Sequence, residues 1–192
     1  TQFLVATDAR GFDANPVEDM TGRRAFNEIL LDDVFVPDAF VLGAPGGGWR
    51  LVTGELAYER SGPDRFLSTF PLLVELLRTP AVHATAGAPA KVGRLIAHLA
   101  TLRRMSMAVA DMLDRGLSPT VEAAIVKDLG TAFEREIPET ARLIAPVAAD
   151  ASSADCYAAG MASAILAAPS FTLRGGTREI LRGIVARELG LR

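Results

Sequence analysis

Two short stretches hold the residue types from which chemistry could be built. The first is Glu59-Arg60, followed after Ser61-Gly62 by Pro63. Around it Trp49, Leu51, Val52, Leu56, Phe66, Phe70, Leu73 and Leu77 recur at spacings of mostly three or four, the pattern of a helix with one buried stripe. A proline inside a helix has no N–H to give and clashes with the carbonyl four residues back, here that of Glu59. The spacing predicts a kink or break at Ser61-Gly62-Pro63 that leaves the Glu59 carboxylate at a disturbed turn, where it could point into a cavity. The competing reading is a solvated Glu-Arg pair on a helix surface. The second stretch is Arg174-Gly175-Gly176-Thr177-Arg178-Glu179. Two glycines and a threonine at a helix start expose backbone N–H groups at the positive end of the helix dipole, a place for an anion such as a phosphate. The same residues also read as an ordinary turn with Thr177 as N-cap.

Other reactive residues are sparse. Cys156 is the only cysteine, so no intramolecular disulfide can form, and a reducing, cytoplasmic setting is expected. With no motif around His83 or His98 to activate it, Cys156 reads as packing. The methionines at 105, 107 and 112 read as core filler. A formal net charge of -3 with only short basic runs argues against a nucleic-acid surface. No apolar run approaches the roughly 18 to 20 residues that a membrane span needs.

The elements that must position these residues are mostly helices, as 49% hydrophobic content with only 6% aromatics suggests. From Thr1 to about Leu42 the pattern is short and β-like, with runs at Phe3-Leu4-Val5-Ala6 and between Ala25 and Val36. These strands are too few to stand alone, so the rest of their β-domain is expected before Thr1 in a longer protein. From Gly48 the chain reads as helical. A second helix is expected from about Ala90 to Arg115, with Val92, Leu95, Ile96, Leu99, Leu102, Met105, Val109 and Met112 on one face and Gly116 beyond its end. Ser118-Pro119 reads as a cap and first residue of a third helix, irregular near Pro138 and over by Pro146. A fourth, alanine-rich helix is expected from Ser153 until Pro169 stops it, and a last short one from about Arg178 to Glu188. The expected fold is mainly α: a four-helix bundle made of the Glu59 helix and the three long ones, preceded by a partial β-domain of a few strands.

Three stretches together resemble the acyl-CoA dehydrogenases. They are Thr21-Gly22 with Phe26-Asn27-Glu28-Ile29-Leu30-Leu31-Asp32-Asp33-Val34-Phe35-Val36-Pro37; Gly47-Gly48-Trp49 with Glu59-Arg60; and Gly175-Gly176-Thr177-Arg178-Glu179-Ile180 with Ile184-Val185-Ala186-Arg187-Glu188-Leu189-Gly190-Leu191. Glu122-Ala123-Ala124 with Lys127-Asp128-Leu129-Gly130 resembles the actinobacterial branch. The resemblance implies that residues 1–45 are the end of a middle β-domain and residues 46–192 a C-terminal helical bundle domain. It implies an FAD enzyme of fatty acid or lipid metabolism that desaturates an acyl-CoA thioester. A carboxylate removes the α proton and the β hydrogen leaves as hydride to flavin N5. A glutamate in a desolvated pocket can have a pKa raised to suit that work.

Most members of that family place the glutamate just before the Gly-Thr of the C-terminal turn, where this sequence has Gly175. A minority carry it on the first long helix of the C-terminal domain, followed by arginine, and Glu59-Arg60 falls there. The resemblance thus makes Glu59 the base, with Arg60 shaping the site, and places Gly175, Gly176, Thr177 and Glu179 at the FAD, partly across a dimer interface. Two runs that usually hold the FAD pyrophosphate are replaced, one by Ala88-Pro89-Ala90-Lys91-Val92-Gly93-Arg94 and the other by Ala158-Ala159-Gly160-Met161. That suits a heteromeric enzyme in which different chains supply the base and the FAD contacts. The implied partners are an acyl-CoA, an electron-transfer flavoprotein or other acceptor, and further subunits in a homo- or hetero-oligomer, dimer or tetramer. The alternatives are a non-catalytic partner subunit, with Glu59 an incidental charge, and an acyl-CoA oxidase-like flavoenzyme. The chain alone is expected to be inactive and to carry little or no flavin.

Overall fold

The structure, a computed structural model, describes residues 1–191. Its contacts divide the chain into two units, Thr1–Glu55 and the remainder from Leu56, the division falling inside one helix. In the first unit β1 (Gln2–Phe3) pairs antiparallel with β4 (Val41–Leu42). β2 (Phe12–Val17) pairs antiparallel with β3 (Phe26–Leu31), in a register that sets Phe12 opposite Leu31 and Val17 opposite Phe26. Phe26, Ile29, Leu30 and Leu31 are all exposed. The first helix, α1 (Gly48–Ser61), begins in this unit, and Trp49, expected on a buried stripe, is 80% exposed.

The second unit holds the end of α1, then α2 (Phe70–Arg78), α3 (Ala81–Ala84), α4 (Ala88–Asp114), α5 (Thr120–Ile144), α6 (Cys156–Phe171) and α7 (Arg178–Glu188). The expected break is present: α1 stops at Ser61, Gly62 is extended as residues before proline prefer, and Pro63–Arg65 form a 3-10 turn. Beyond it the helical phase has changed. Leu72, Leu73 and Leu76 face the core, while Phe70 and Leu77 are partly exposed. It is α2, rather than the Glu59-bearing α1, that packs with α5 and α6 in the bundle.

The fold is mainly α, a helical bundle with α5 at its centre and packed against α2, α4, α6 and α7. Leu73, Leu76, Leu95, Leu102, Phe133, Ile137 and Ile144 lie almost wholly out of water at the core. The helix ends are fixed by local chemistry. Gly116, at φ +74°, donates to Leu113 O while Leu117 donates to Met112 O, the Schellman arrangement that a glycine just past a helix allows. Gly190 and Leu191 repeat it after α7. α4 keeps its expected face except for Ile96, which is 44% exposed.

Three expected boundaries move. Ser118 is not the cap of α5; Pro119 holds that position without a side-chain bond. α6 starts at Cys156 rather than Ser153, because Asp155 accepts the N–H of Tyr157 at 3.0 Å, and Pro169 falls inside its last turn. Cys156 is exposed at that first turn, not packed. α5 also runs unbroken through Pro138. Proline leaves the carbonyl four residues earlier, that of Glu134, without its helical donor, and the Thr69 hydroxyl donates to it at 3.1 Å. Among the described residues, no helix is long and apolar enough to cross a membrane, and no three His, Cys, Asp or Glu side chains come together as a metal ion would need.

Candidate active site

The last turn of α1 and the loop between α6 and α7 meet. Arg60 is 6% exposed, and its Nε donates to the carbonyl of Gly175 at 2.9 Å. Burial holds its guanidinium below the ordinary value, partly offset by the neighbouring Glu59 charge. Arg60 thus joins α1 to the loop. Ser61 is buried beside it, its hydroxyl donating to Ala57 O at 2.8 Å and its carbonyl accepting from Ser106 of α4 at 2.6 Å. The end of α1 is therefore tied to both α4 and the α6–α7 loop.

Gly175 and Gly176 lie at φ +69° and +105°, where L side chains are strained. Side chains of Glu59, Arg60 and Lys127 also stand beside them at ordinary contact distance. A Cβ on Gly175 would stand 3.4 Å from Lys127 Cε, 3.6 Å from Glu59 Oε1 and 3.7 Å from Arg60 Cγ, and one on Gly176 would stand 3.5 Å from Arg60 Nη2. Glu59, Arg60 and the two glycines, far apart in the sequence, are thus in one place. The Glu59 side chain is 41% exposed, with Oε1 accepting from Arg65 Nη2 at 3.1 Å. The Glu59 carboxylate is thus partly open to water.

Thr177 and Glu179 form a separate pair at the start of α7. Thr177 is the N-cap and accepts from the Ile180 N–H at 3.5 Å. Glu179 is exposed, its carboxyl held below the ordinary value by its own backbone N–H and by the Thr177 hydroxyl. Among the described residues nothing accepts from the N–H groups of Gly175, Gly176, Thr177 and Arg178. Four adjacent donors at a helix start fit the phosphate or carbonyl oxygens of a bound cofactor, although the Glu179 carboxylate stands beside them.

Beneath this surface α5 presents a polar row that periodicity alone did not single out. Lys127 is 0% exposed and donates to Thr131 Oγ1 and, at 2.8 Å, to Phe171 O. Glu134 is also 0% exposed; it accepts the Ser68 N–H at 3.0 Å and pairs with Arg174 at 2.5 Å. Arg174 lies 4.9 Å over the Phe171 ring, and its Nε is buried without a partner. At the flank, Asp128 takes Arg178 at 2.6 Å and Arg182 at 3.1 Å. Burial alone would push the Asp128 carboxyl up, but the hydrogen bonds and the charges of Arg178 and Arg182 together outweigh it and hold it below the usual carboxylate range. The signal in the sequence was positional: Lys127, Thr131 and Glu134 fall at helical spacing among core residues such as Val126 and Phe133. Arg65 had no such signal, since only the break at Gly62-Pro63 brings it back to Glu59.

The comparisons with known proteins identify the class to which this helical bundle belongs. The family described as "Acyl-CoA dehydrogenase, C-terminal domain" matches residues 82–190. The chain is 27% identical over 190 residues to acyl-CoA dehydrogenase FadE34 of Mycobacterium tuberculosis, covering 98% of this chain and 26% of FadE34. It is 30% identical over 196 residues to acyl-CoA dehydrogenase IpdE1 of the same organism, covering 98% of this chain and 50% of IpdE1. Among solved structures, a variant of the Tcur3481-Tcur3483 steroid ACAD superposes with a TM-score of 0.82 at 26% identity, covering 98% of this chain and 51% of that one. The chain belongs to the acyl-CoA dehydrogenase family, a family of FAD-dependent oxidoreductases. It spans about a quarter to a half of the length of these two acyl-CoA dehydrogenases.

Proposed function

We propose that this chain supplies the catalytic base of an FAD-dependent enzyme that desaturates an acyl-CoA thioester between its α and β carbons, and that Glu59 is that base. One observation carries the reading. Gly175 stands where most of the family has its glutamate, and a side chain started there would meet Glu59 Oε1 at 3.6 Å. The carboxylate of α1 thus occupies the ground that the turn leaves free. Arg60 keeps it there by joining the last turn of α1 to the Gly175 carbonyl at 2.9 Å. FAD, when bound, would take the β hydrogen as hydride. The α proton would go to Glu59 Oε2, since Oε1 is engaged by Arg65. The donors at Gly175, Gly176, Thr177 and Arg178 would hold cofactor oxygens, with Glu179 at their edge.

In this reading residues 1–45 end a middle β-domain and residues 46–192 form the C-terminal helical domain. The two replaced FAD runs favour a hetero-oligomer, and two of the structural neighbours, the ChsE4-ChsE5 complex and the Tcur3481-Tcur3483 steroid ACAD, pair two names in one assembly. Bulky acyl groups of the steroid kind are the substrate class to test first, with an electron-transfer flavoprotein or similar acceptor for the electrons. A second reading, a non-catalytic subunit, is favoured by the 41% exposure of Glu59 and its pairing with Arg65, as a surface charge would pair. One experiment separates the two. Glu59→Gln, made in the longer protein together with any co-encoded partner, is assayed for desaturation with an artificial acceptor and for bound flavin. Loss of about 10³-fold or more with flavin retained is the expected result. Wild-type activity would overturn the assignment and leave the chain as scaffold.

A further inference from the structure

Arg65 makes two bonds back across the helix break to a single residue. Its Nε donates to the Glu59 carbonyl at 2.8 Å and its Nη2 to Glu59 Oε1 at 3.1 Å. The first bond has a clear cause. In an unbroken helix the Glu59 carbonyl would accept from residue 63, but Pro63 has no N–H, so Arg65 supplies the missing donor. The second bond then follows from the shape of the guanidinium, whose planar fork presents donors in fixed directions. The Arg65 side chain is only 12% exposed and also meets Asp64 Oδ2 at 3.2 Å. It therefore has little freedom to swing away.

What seats Arg65 is a glycine on α5. A Cβ on Gly130 would lie 2.6 Å from Arg65 O, 3.3 Å from Arg65 C and 3.2 Å from Phe66 Cβ. No real side chain tolerates the first distance, so the 3-10 segment would have to move. Gly130 is helical and needs no unusual backbone angle there; the space above it is what requires glycine.

We infer that Arg65, seated by Gly130, is the positioning residue for Glu59: it fixes the carboxylate by Oε1 and leaves Oε2 as the oxygen with no hydrogen-bond partner among the described residues. The inference rests on the reading of Glu59 as the base. As stability alone the pair would matter little, because Glu59 is partly in water. Orientation is another matter, since a displacement of about 1 Å at a reacting group can cost on the order of a hundredfold in rate.

Arg65→Met, Arg65→Lys, Gly130→Ala and Glu59→Gln are made in the longer protein with its partner. Each is measured for kcat, KM, flavin content, Tm and the isotope effect with α-deuterated acyl-CoA. Arg65→Met is expected to lower kcat by roughly ten- to a hundredfold and raise the isotope effect, with KM, flavin and Tm near wild type. Arg65→Lys is expected to recover part of the loss, because one ammonium keeps the charge but not the fork. Gly130→Ala is expected to lower kcat in the same direction, and adding Arg65→Met to Glu59→Gln to cost nothing further. If Glu59→Gln stays active, the base reading itself has failed. If Glu59→Gln is inactive while Arg65→Met keeps wild-type kcat, or loses it only along with Tm and flavin, the positioning role is overturned and the base reading stands.

Discussion

Lys127 has an unusual position for a lysine: it is fully buried, beneath the turn that faces Glu59. Burial first, and the nearby Arg174 charge second, push its ammonium down to about 8, with Glu134 pulling the other way. The unfolded chain keeps the ordinary value of 10.5, so between about pH 8 and 10.5 it binds a proton that the folded protein does not. Stability contributed at this site therefore rises with pH across that window and is least where Lys127 is forced to stay charged. Wild type is expected to gain about 1 kcal/mol over Lys127→Met between pH 7 and pH 9, read by denaturant unfolding at both values. Tyr157, whose phenol burial pushes up to about 12, keeps its proton throughout and does not blur the comparison. A constant difference between the two proteins would mean that Lys127 titrates normally, and that its bonds to Thr131 and Phe171 balance its burial.

Among the elements, the positions readable from the sequence are those set by the chain immediately around them. Gly116 announced the end of α4, and Gly190 takes the same place after α7, because a glycine just past a periodic run supplies the left-handed residue a helix end uses. The break before Pro63 and the glycine turn at Gly175-Gly176 were legible for the same reason. What could not be read depended on distant partners. Pro138 argued for an irregular α5, but Thr69, from the start of α2, supplies the donor that proline lacks. Arg65 and Glu134 gain their roles only when three segments meet, and Cys156 is exposed in the first turn of a helix that starts three residues later than expected. The Thr69 bond makes a separable prediction. Thr69→Val leaves the buried Glu134 carbonyl unsatisfied and should cost about 1 to 3 kcal/mol in urea unfolding. Pro138→Ala restores a backbone N–H at the right place, so Thr69→Val should cost clearly less in that background. Equal costs in both backgrounds would mean the hydroxyl matters for some other reason.

On the scale of the whole molecule, the two units differ in what they bury. The unit from Leu56 onward has a continuous core around α5. In Thr1–Glu55 the β2–β3 pair leaves almost every residue exposed, including the adjacent apolar residues Ile29, Leu30 and Leu31. Consecutive apolar residues on a strand suit cover on both faces, and two paired strands by themselves are marginally stable in water. The proposed middle β-domain would supply that cover in the longer protein. Hydrogen exchange tests this without any assay of activity. In the 192-residue chain the amides of Phe12–Val17 and Phe26–Leu31 should exchange orders of magnitude faster than the buried stretch of α5 around Phe133 and Ile137. In the longer protein the strand amides should slow by a large factor while those of α5 change little. Strands already as protected in the short chain as α5 would mean that this hairpin is stable on its own, and the assignment of residues 1–45 to the edge of a larger β-domain would then fail.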